Sequence, residues 1–200
     1  MVRPLWTGGQ DLPQSCETLV DQLVAAGNLT AEEVWQRVRR LLEAKRVGAA
    51  RSAAGYLPAS EGFDGRGLES IAQDPARHLA KLPAGYAAKR GGREVALFAV
   101  QRLARSEPLD AAKRFSHIES QFTAEERAYA WGQLAWQAAV RHQPEALAWY
   151  EKATGTVLSE EQMAWRVRAA LRVHDWRTVR RVIAAMPPTQ AAQSDWTYWQ

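Results

Sequence analysis

Residues 159–187 read SEEQMAWRVRAALRVHDWRTVRRVIAAMP, and this stretch decides the fold. Ser159 and Gln162 have the spacing of a capping box, which opens a helix by satisfying free backbone amides. After them, apolar residues recur every three or four positions, as they do on one helix face: Met163, Ala164, Val167, Ala170 and Leu171. Asp175 is then placed to cap a second helix, which ends at Pro187-Pro188. The inward residues of that second helix are predicted to be Trp176, Val179, Val182, Ile183 and Met186. The pattern predicts two antiparallel helices joined by a tight turn.

The rest of the chain repeats this unit. Residues 37–58 align without a gap on residues 166–187, and residues 105–112 align on residues 141–148. The matched positions include Arg37-Val38-Arg39 on Arg166-Val167-Arg168, Leu42 on Leu171, Arg51 on Arg180 and Pro58 on Pro187. The predicted turns follow one another at roughly 28 to 36 residues, the period of stacked helical hairpins. No alternating run typical of a strand is present. The sequence therefore predicts an all-α fold, a helical-hairpin superhelix (an α-solenoid with TPR-like stacking).

Start and stop signals place the other helices. Gly27 is the predicted left-handed stop of a first helix over 13–26, and Pro108 and Pro144 begin two return helices. Two further capping boxes, Thr30 with Glu33 and Thr123 with Glu126, open helices that run to about Lys45 and to Val140. The remaining predictions are helices over 47–56 and 68–73, a fifth helix from Pro75, a glycine-rich connection over 59–67, a break at Gly91-Gly92 before a sixth helix over 94–105, and a break at Gly155.

Composition limits the class of protein. The chain has 200 residues, 46% of them hydrophobic, and 26 basic against 22 acidic residues leave a formal charge of +4. This excess weakly favours an anionic partner, but the mixed charges are also typical of a solvated helical surface. Cys16 is the single cysteine, so neither an internal disulfide nor a multi-cysteine metal site can form. No apolar run has the length of a membrane span, and the first residues lack a signal-peptide core.

Motifs for chemistry are missing from the sequence. Glycine-rich phosphate loops, paired histidine ligands and a nucleophile elbow do not occur. The four histidines, His78, His117, His142 and His174, lie far apart in sequence. Glu119 follows His117 closely enough in sequence for the two to form an acid–base pair. We favour the interpretation that both residues lie at an exposed helix end, because no nucleophile lies nearby. We therefore predict no catalytic, cofactor-binding or metal-binding residue.

Tryptophan and arginine are distributed in a way that leaves two alternatives open. Aromatic side chains interleaved with arginine can bind nucleic acid or stack on sugar rings, but helical spacing favours core packing for Trp35, Trp131, Trp165 and Trp176. Arginines at matching repeat positions could form a basic stripe or an ordinary solvated surface: Arg37, Arg39, Arg166, Arg168 and Arg180. Trp196 and Trp199 open an apolar stripe at the end of the chain. We therefore expect the chain to be a segment of something longer.

Two stretches, about half of the chain, resemble the superhelical U-domain of soluble lytic murein transglycosylases. The first covers residues 4–58, with Leu5-Trp6, Cys16, Trp35 and Tyr56-Leu57-Pro58. The second contains Arg166-Val167-Arg168-Ala169-Ala170-Leu171 and Asp195-Trp196-Thr197-Tyr198-Trp199-Gln200. The middle of the chain is similar in its helix rhythm.

This resemblance implies a function. Members of the family are periplasmic enzymes that cleave the MurNAc–GlcNAc bond of peptidoglycan to a 1,6-anhydro product, using a glutamate in a Glu-Ser pair followed by Gly-Leu-Met-Gln. Glu69-Ser70 and Glu119-Ser120 lack that sequel, so neither inherits the role. The resemblance implies that residues 1–200 are part of the U-domain, without the catalytic lysozyme-like domain of the same chain and without its signal peptide. It also implies that Cys16 pairs with a cysteine upstream.

Three functions follow as hypotheses. The favoured one is a non-catalytic scaffold segment that works on peptidoglycan glycan strands through the full-length protein, with no cofactor, no nucleic acid and no membrane span. The second is a stand-alone TPR-like solenoid that binds a protein partner. The third is a nucleic-acid-binding helical repeat, which the basic pI supports. Affinity for DNA that falls steeply with salt would favour the third.

Overall fold

The computed structural model describes residues 6, 16–61, 63 and 65–199. Every regular element in that part of the chain is a helix, and no strand is found there. The chain divides into two compact units, Met1–Ala99 and Val100–Gln200. Predicted features at residues 1–5, 13–15 and 200, which include the start of the first predicted helix, lie outside the described residues.

The first unit is built from short helices. Its α-helices are α1 (Glu17–Ala25), α2 (Ala31–Glu43), α3 (Val47–Ala54), α4 (Leu68–Gln73), α5 (Pro75–Ala80) and the larger part of α6 (Arg90–Ala104). Single 3-10 turns occupy Ala59–Glu61, Gly65–Gly67 and Tyr86–Ala88. The helix predicted over 68–73 and the one predicted from Pro75 are confirmed, with Asp74 accepting a hydrogen bond from the Arg77 amide at 3.0 Å.

The second unit contains the stretch from which the fold was predicted. Its helices are α7 (Pro108–Ile118), α8 (Ala124–Val140), α9 (Ala146–Lys152), α10 (Glu160–Arg172), α11 (Trp176–Ala184), α12 (Pro188–Ala191) and α13 (Ser194–Thr197), with a 3-10 turn at Glu119–Gln121. Helix α8 pairs with α9 and α10 pairs with α11, while α10 also packs on both members of the preceding hairpin. The predicted hairpin pair of residues 159–187 is therefore confirmed.

Three capping boxes begin helices as the sequence predicts. In each, the hydroxyl oxygen of the cap accepts from the amide three residues later at 3.2 Å. The side chain of that later residue accepts from the amide of the cap at 2.8 to 2.9 Å. The pairs are Thr30 with Glu33, Thr123 with Glu126, and Ser159 with Gln162. Asp175 caps α11 by accepting from the Thr178 amide at 3.1 Å.

Four helices of the described chain end in the same left-handed turn. The turn residues are Gly27 (φ 67°), Lys45 (φ 64°), His142 (φ 59°) and His174 (φ 57°). The next amide donates to the carbonyl five residues back, at 2.8 Å for Asn28 to Leu23, 2.8 Å for Arg46 to Leu41, 2.9 Å for Gln143 to Ala138 and 3.0 Å for Asp175 to Ala170. This is the Schellman arrangement, which satisfies carbonyls that the helix leaves free. The predicted stop at Gly27 is confirmed.

Each hairpin of the second unit buries its apolar face. One cluster joins Ala135, Ala138, Ala139, Ala146, Tyr150 and Ala169. A second cluster joins Ala164, Val167, Ala170, Val179, Val182, Ile183, Met186 and Trp196. Leu147 packs against both clusters, so the two hairpins share one continuous apolar interior.

Two predictions of local structure are wrong. Gly91-Gly92 does not separate two helices, because α6 begins at Arg90 and includes both glycines. A Cβ at Gly92 would lie 1.8 Å from the carbonyl oxygen of Tyr86, so glycine is needed there for close packing. Trp196, which was expected to open an uncovered apolar stripe at the end of the chain, is instead buried against the second cluster.

Candidate functional site

The second unit carries a groove on its surface. It has a volume of about 820 Å³ and lies between the loop over 153–159 and the helices α10 and α11. Gly155, at φ 98°, allows the sharp turn of the loop, and Val157 projects almost fully into solvent. The side chains of Met163 and Met186 form an apolar part of the groove wall. The sequence predicted the break at Gly155 but not this groove.

Charged side chains meet at one side of the groove. Glu151 accepts from Arg166 at 2.7 Å and from Arg181 at 2.9 Å. Burial opposes the charge on Glu151, but the two arginine hydrogen bonds outweigh it and hold the pKa of the carboxyl below its usual value. One carboxylate therefore lies between two guanidinium groups, and the Thr154 and Ser159 hydroxyl groups of the lining are held in local hydrogen bonds to the Glu151 carbonyl and from the Gln162 amide. The groove therefore combines an apolar wall with a cluster of charged groups at one side.

A second groove, of about 540 Å³, holds Glu119 and Ser120. The Trp131 indole donates to the Glu119 carboxylate at 2.9 Å, and the Lys152 ammonium lies 3.9 Å from the centre of the Trp131 ring. His117 turns away, with its Nδ1 atom 2.6 Å from the Lys113 carbonyl oxygen. The structure therefore does not bring His117 and Glu119 together as an acid–base pair.

The other candidates for chemistry are also engaged in local structure. Glu69 accepts from Arg51 at 3.1 Å, and the Ser70 hydroxyl donates to the Gly67 carbonyl at 2.9 Å. Among the described residues, no group of three histidine, cysteine or acidic side chains could hold a metal ion. In the same part of the chain, no helix is long and apolar enough to cross a membrane. Cys16 is half-buried and carries a free thiol.

The predicted core tryptophans fall into two groups. Trp35 and Trp131 are buried, and Trp165 packs on the edge of the first cluster of the second unit. Trp176 was predicted to point inward, and this is wrong, because its side chain is 44% exposed. It occupies the first position of α11. The ring stacks on Trp199 instead, with centres 5.8 Å apart and planes 21° apart.

The repeated arginines do not share one exposed stripe. Arg37 is buried, donates to the Trp6 carbonyl at 2.6 Å and lies over the Trp6 ring. Arg39 binds the buried Glu94 carboxylate through two hydrogen bonds of 2.7 and 2.8 Å. Arg37 and Arg166 occupy matching positions in the repeat, yet Arg37 contacts Trp6 and Arg166 contacts Glu151. Their roles differ because their neighbours differ.

Sequence reasoning missed the exposure of two aromatic side chains of the second unit, Trp176 and Tyr198. Trp176 stacks on Trp199, and Tyr198 meets Trp199 edge to face with ring centres 4.7 Å apart. Trp176 and Arg180 are one helical turn apart on the exposed side of α11. Positive charge is concentrated in this part of the sequence: residues 166–199 contain six arginines and two aspartates, so their net charge of +4 equals that of the whole chain.

No protein-family model and no curated protein sequence matches this chain. A solved structure of an inactive mutant of the lytic transglycosylase Slt from Pseudomonas aeruginosa matches with 29% identity and a TM-score of 0.68, over 99% of this chain and 32% of that one. The 70-kDa soluble lytic transglycosylase of Escherichia coli matches with 23% identity and a TM-score of 0.54, over 100% and 32% of the two chains. The 70-kDa soluble lytic transglycosylase in complex with bulgecin A gives the same values.

These matches confirm the fold class: the chain has the all-α, helical superhelix fold that was predicted from its repeats. The resemblance to soluble lytic transglycosylases, predicted from the two anchored stretches, is confirmed by the same neighbours. The chain spans about a third of the length of these solved proteins.

Proposed function

We propose that residues 1–200 are part of the superhelical U-domain of a periplasmic peptidoglycan lytic transglycosylase and act there as a non-catalytic scaffold. In this proposal, the full-length enzyme cleaves MurNAc–GlcNAc bonds to 1,6-anhydro products, and its catalytic domain lies elsewhere in the same chain. The observation that carries the proposal is the match to a lytic transglycosylase over 99% of this chain at 29% identity.

The contacts of the acidic residues support a scaffold. A catalytic glutamate of the acid–base type needs a protonated state near neutral pH and a reachable substrate. Glu151 is held ionised by two arginines, and Glu119 accepts from an indole. Glu94 is enclosed by Arg39 and Arg90. Each of these contacts stabilises helix packing.

The scaffold proposal predicts that the isolated chain releases no anhydro-muropeptides from purified sacculi. Chromatography of the soluble fraction measures this, with an active lytic transglycosylase as the positive control. Release above the buffer control would contradict the proposal. Sequencing the gene beyond Gln200 is a second test: a Glu-Ser pair followed downstream by Gly-Leu-Met-Gln would support the proposal, and a stop codon there would contradict it.

A further inference from the structure

The groove between the loop over 153–159 and the helices α10 and α11 is apolar along much of the side that the two helices form. Its volume of about 820 Å³ is large enough for several side chains of a ligand. Four apolar residues lie along this side: Met163, Val182, Ala185 and Met186. The groove therefore offers both space and apolar surface to side chains from outside.

The opposite border of the groove is formed by the end of the loop, where the chain is extended. A Cβ built at Gly132 of α8 would meet side-chain atoms of Leu158 at 3.4 Å and of Thr156 at 3.5 Å. Val157 lies between these two residues in sequence, and its side chain is 97% exposed. Ser159 follows with φ −67° and ψ 161°, which is extended backbone. Side chains that alternate between a packed face and solvent are those of a β-strand.

The backbone of this extended segment has free hydrogen-bonding groups. The amides and carbonyls of Val157 and Leu158 form no hydrogen bond with any residue that the structure describes. In an extended chain, the N–H and C=O of one residue point to one edge, and those of the next residue point to the other edge. Each edge therefore carries one free donor and one free acceptor, and this includes the edge that borders the groove. An added strand binds through such pairs.

Positive charge is in excess at the side of the groove where Glu151 lies. One oxygen of this carboxylate, Oε1, accepts from both Arg166 and Arg181. One negative charge thus faces two positive charges, and the Arg181 side chain is 54% exposed. A guanidinium group has five N–H donors, so Arg181 can also bind a second carboxylate. Glu160 makes the lining neutral overall, which favours a ligand with one local negative charge over a polyanion.

We propose that this groove binds an extended segment of a partner protein. The segment pairs with the backbone of residues 157–158 as an added strand, places an apolar side chain against Met163 and Met186, and brings a carboxylate to Arg181. A peptide strand fits because it carries donors and acceptors along its edge and presents alternate side chains to one face. The proposal is independent of the proposed function, since it uses contacts within the second unit alone.

The probe for this site is a fluorescein-labelled synthetic peptide of alternating threonine and valine residues that ends in aspartate. Fluorescence anisotropy measures its binding to the chain. We expect saturable binding that Arg181→Gln weakens by about fivefold, as the loss of a hydrogen bond does. Arg180→Gln is the matched control, because Arg180 is exposed on the same helix and does not line the groove. This control should bind the peptide as the original chain does, and equal weakening by both variants would overturn the inference.

A second pair of variants tests the apolar side of the groove. Ala185→Glu places a charged side chain among the apolar lining residues and should weaken binding by about tenfold, as the loss of a central contact does. Ala184→Glu is its control, since Ala184 is also exposed at the end of α11 but does not line the groove. Circular dichroism checks that both variants remain helical. Binding of the peptide to Ala185→Glu with unchanged affinity would contradict the proposed place of binding.

Two methylated peptides test the backbone pairing. One carries N-methyl groups on its valine residues and the other on its threonine residues, so each loses the donors of one edge. Since a strand pairs through the edge that faces its neighbour, one peptide should bind about fivefold more weakly or worse, and the other should bind nearly as the parent peptide does. Equal affinities of the two methylated peptides would overturn the proposed pairing.

Other occupants of the groove give different results. No saturable binding at about 1 mM peptide would overturn the inference. A neutral chito-oligosaccharide that displaces the labelled peptide at a lower concentration than unlabelled peptide does would overturn it in favour of a glycan. Self-association of the original chain in sedimentation velocity, abolished by Ala185→Glu, would overturn it in favour of a second copy. The scaffold proposal stands in each case, because anhydro-muropeptide release and the gene sequence test it separately.

Discussion

Replacing Gly92 by alanine should destabilise the first unit strongly. Gly92 lies in the first turn of α6, where the chain passes the 3-10 turn at Tyr86–Ala88. A Cβ at this position would lie 1.8 Å from the Tyr86 carbonyl oxygen and 2.8 Å from its carbon. Both atoms belong to the backbone, so no side-chain rotation relieves the overlap.

The size of the effect follows from the movement required. Separating the Cβ and the oxygen to 3.0 Å takes a shift of about 1.2 Å. The turn resists this shift, because the Ala88 amide donates to the Gly85 carbonyl at 3.0 Å and Arg93 donates to the Ala87 carbonyl at 3.0 Å. Overpacking commonly costs about 1 to 3 kcal/mol, and a rigid backbone contact places Gly92→Ala near about 3 kcal/mol.

Gly48→Ala is the matched control. Gly48 lies inside α3, and a Cβ there would meet nothing within 4 Å. Alanine is the better helix former, so this variant should be more stable by about 0.5 to 1 kcal/mol. Urea unfolding followed by circular dichroism measures both changes. With a slope of about 2 kcal/mol per molar urea, the Gly92→Ala midpoint should fall by about 1.5 M. Equal midpoints for Gly92→Ala and the original chain would refute the close-contact reasoning.

Further predictions concern single contacts. Lys45→Gly should stabilise the chain by about 1 kcal/mol in the same urea assay, because Lys45 has φ 64° and only glycine adopts that conformation without cost. Thr123→Ala should cost about 1 kcal/mol by removing a helix cap, whereas Thr123→Ser should be nearly neutral. Glu94→Ala should cost about 3 kcal/mol, because the Glu94 carboxylate is 3% exposed and binds both Arg39 and Arg90; a loss below about 1 kcal/mol would contradict this. Burial raises the pKa of the Tyr150 phenol well above its usual value. The protonated phenol therefore contributes fully to the stability of the folded state below the unfolded-state pKa of about 10, and this stability is lost as the pH rises further. Tyr150→Phe should therefore lose less stability than the original chain between about pH 10 and pH 12, measured by urea unfolding at each pH.

Helix starts were predictable because their causes are local. A cap and its partner lie three residues apart, so Thr30, Thr123 and Ser159 could be recognised without any tertiary information. The repeat period added the hairpin arrangement. The candidate binding surface was less predictable, because exposure depends on which neighbouring helix covers a residue. Trp131 and Trp176 both stand at helical spacing, yet Trp131 is 3% exposed and Trp176 is 44% exposed.

The sequence by itself determined the all-α class and the hairpin rhythm, since these depend on caps, breakers and periodicity that act over a few residues. The resemblance to lytic transglycosylases came from two stretches of sequence, residues 4–58 and the C-terminal run. Only the tertiary structure decided that Gly92 continues a helix, that Trp196 is buried and that Arg37 lies in the interior. Each of these outcomes is set by atoms that the local pattern of apolar residues does not place: a carbonyl at Tyr86, an apolar cluster on α10 and α11, and an indole at Trp6. Burial and close approach are properties of packed neighbours, and a linear pattern does not specify them.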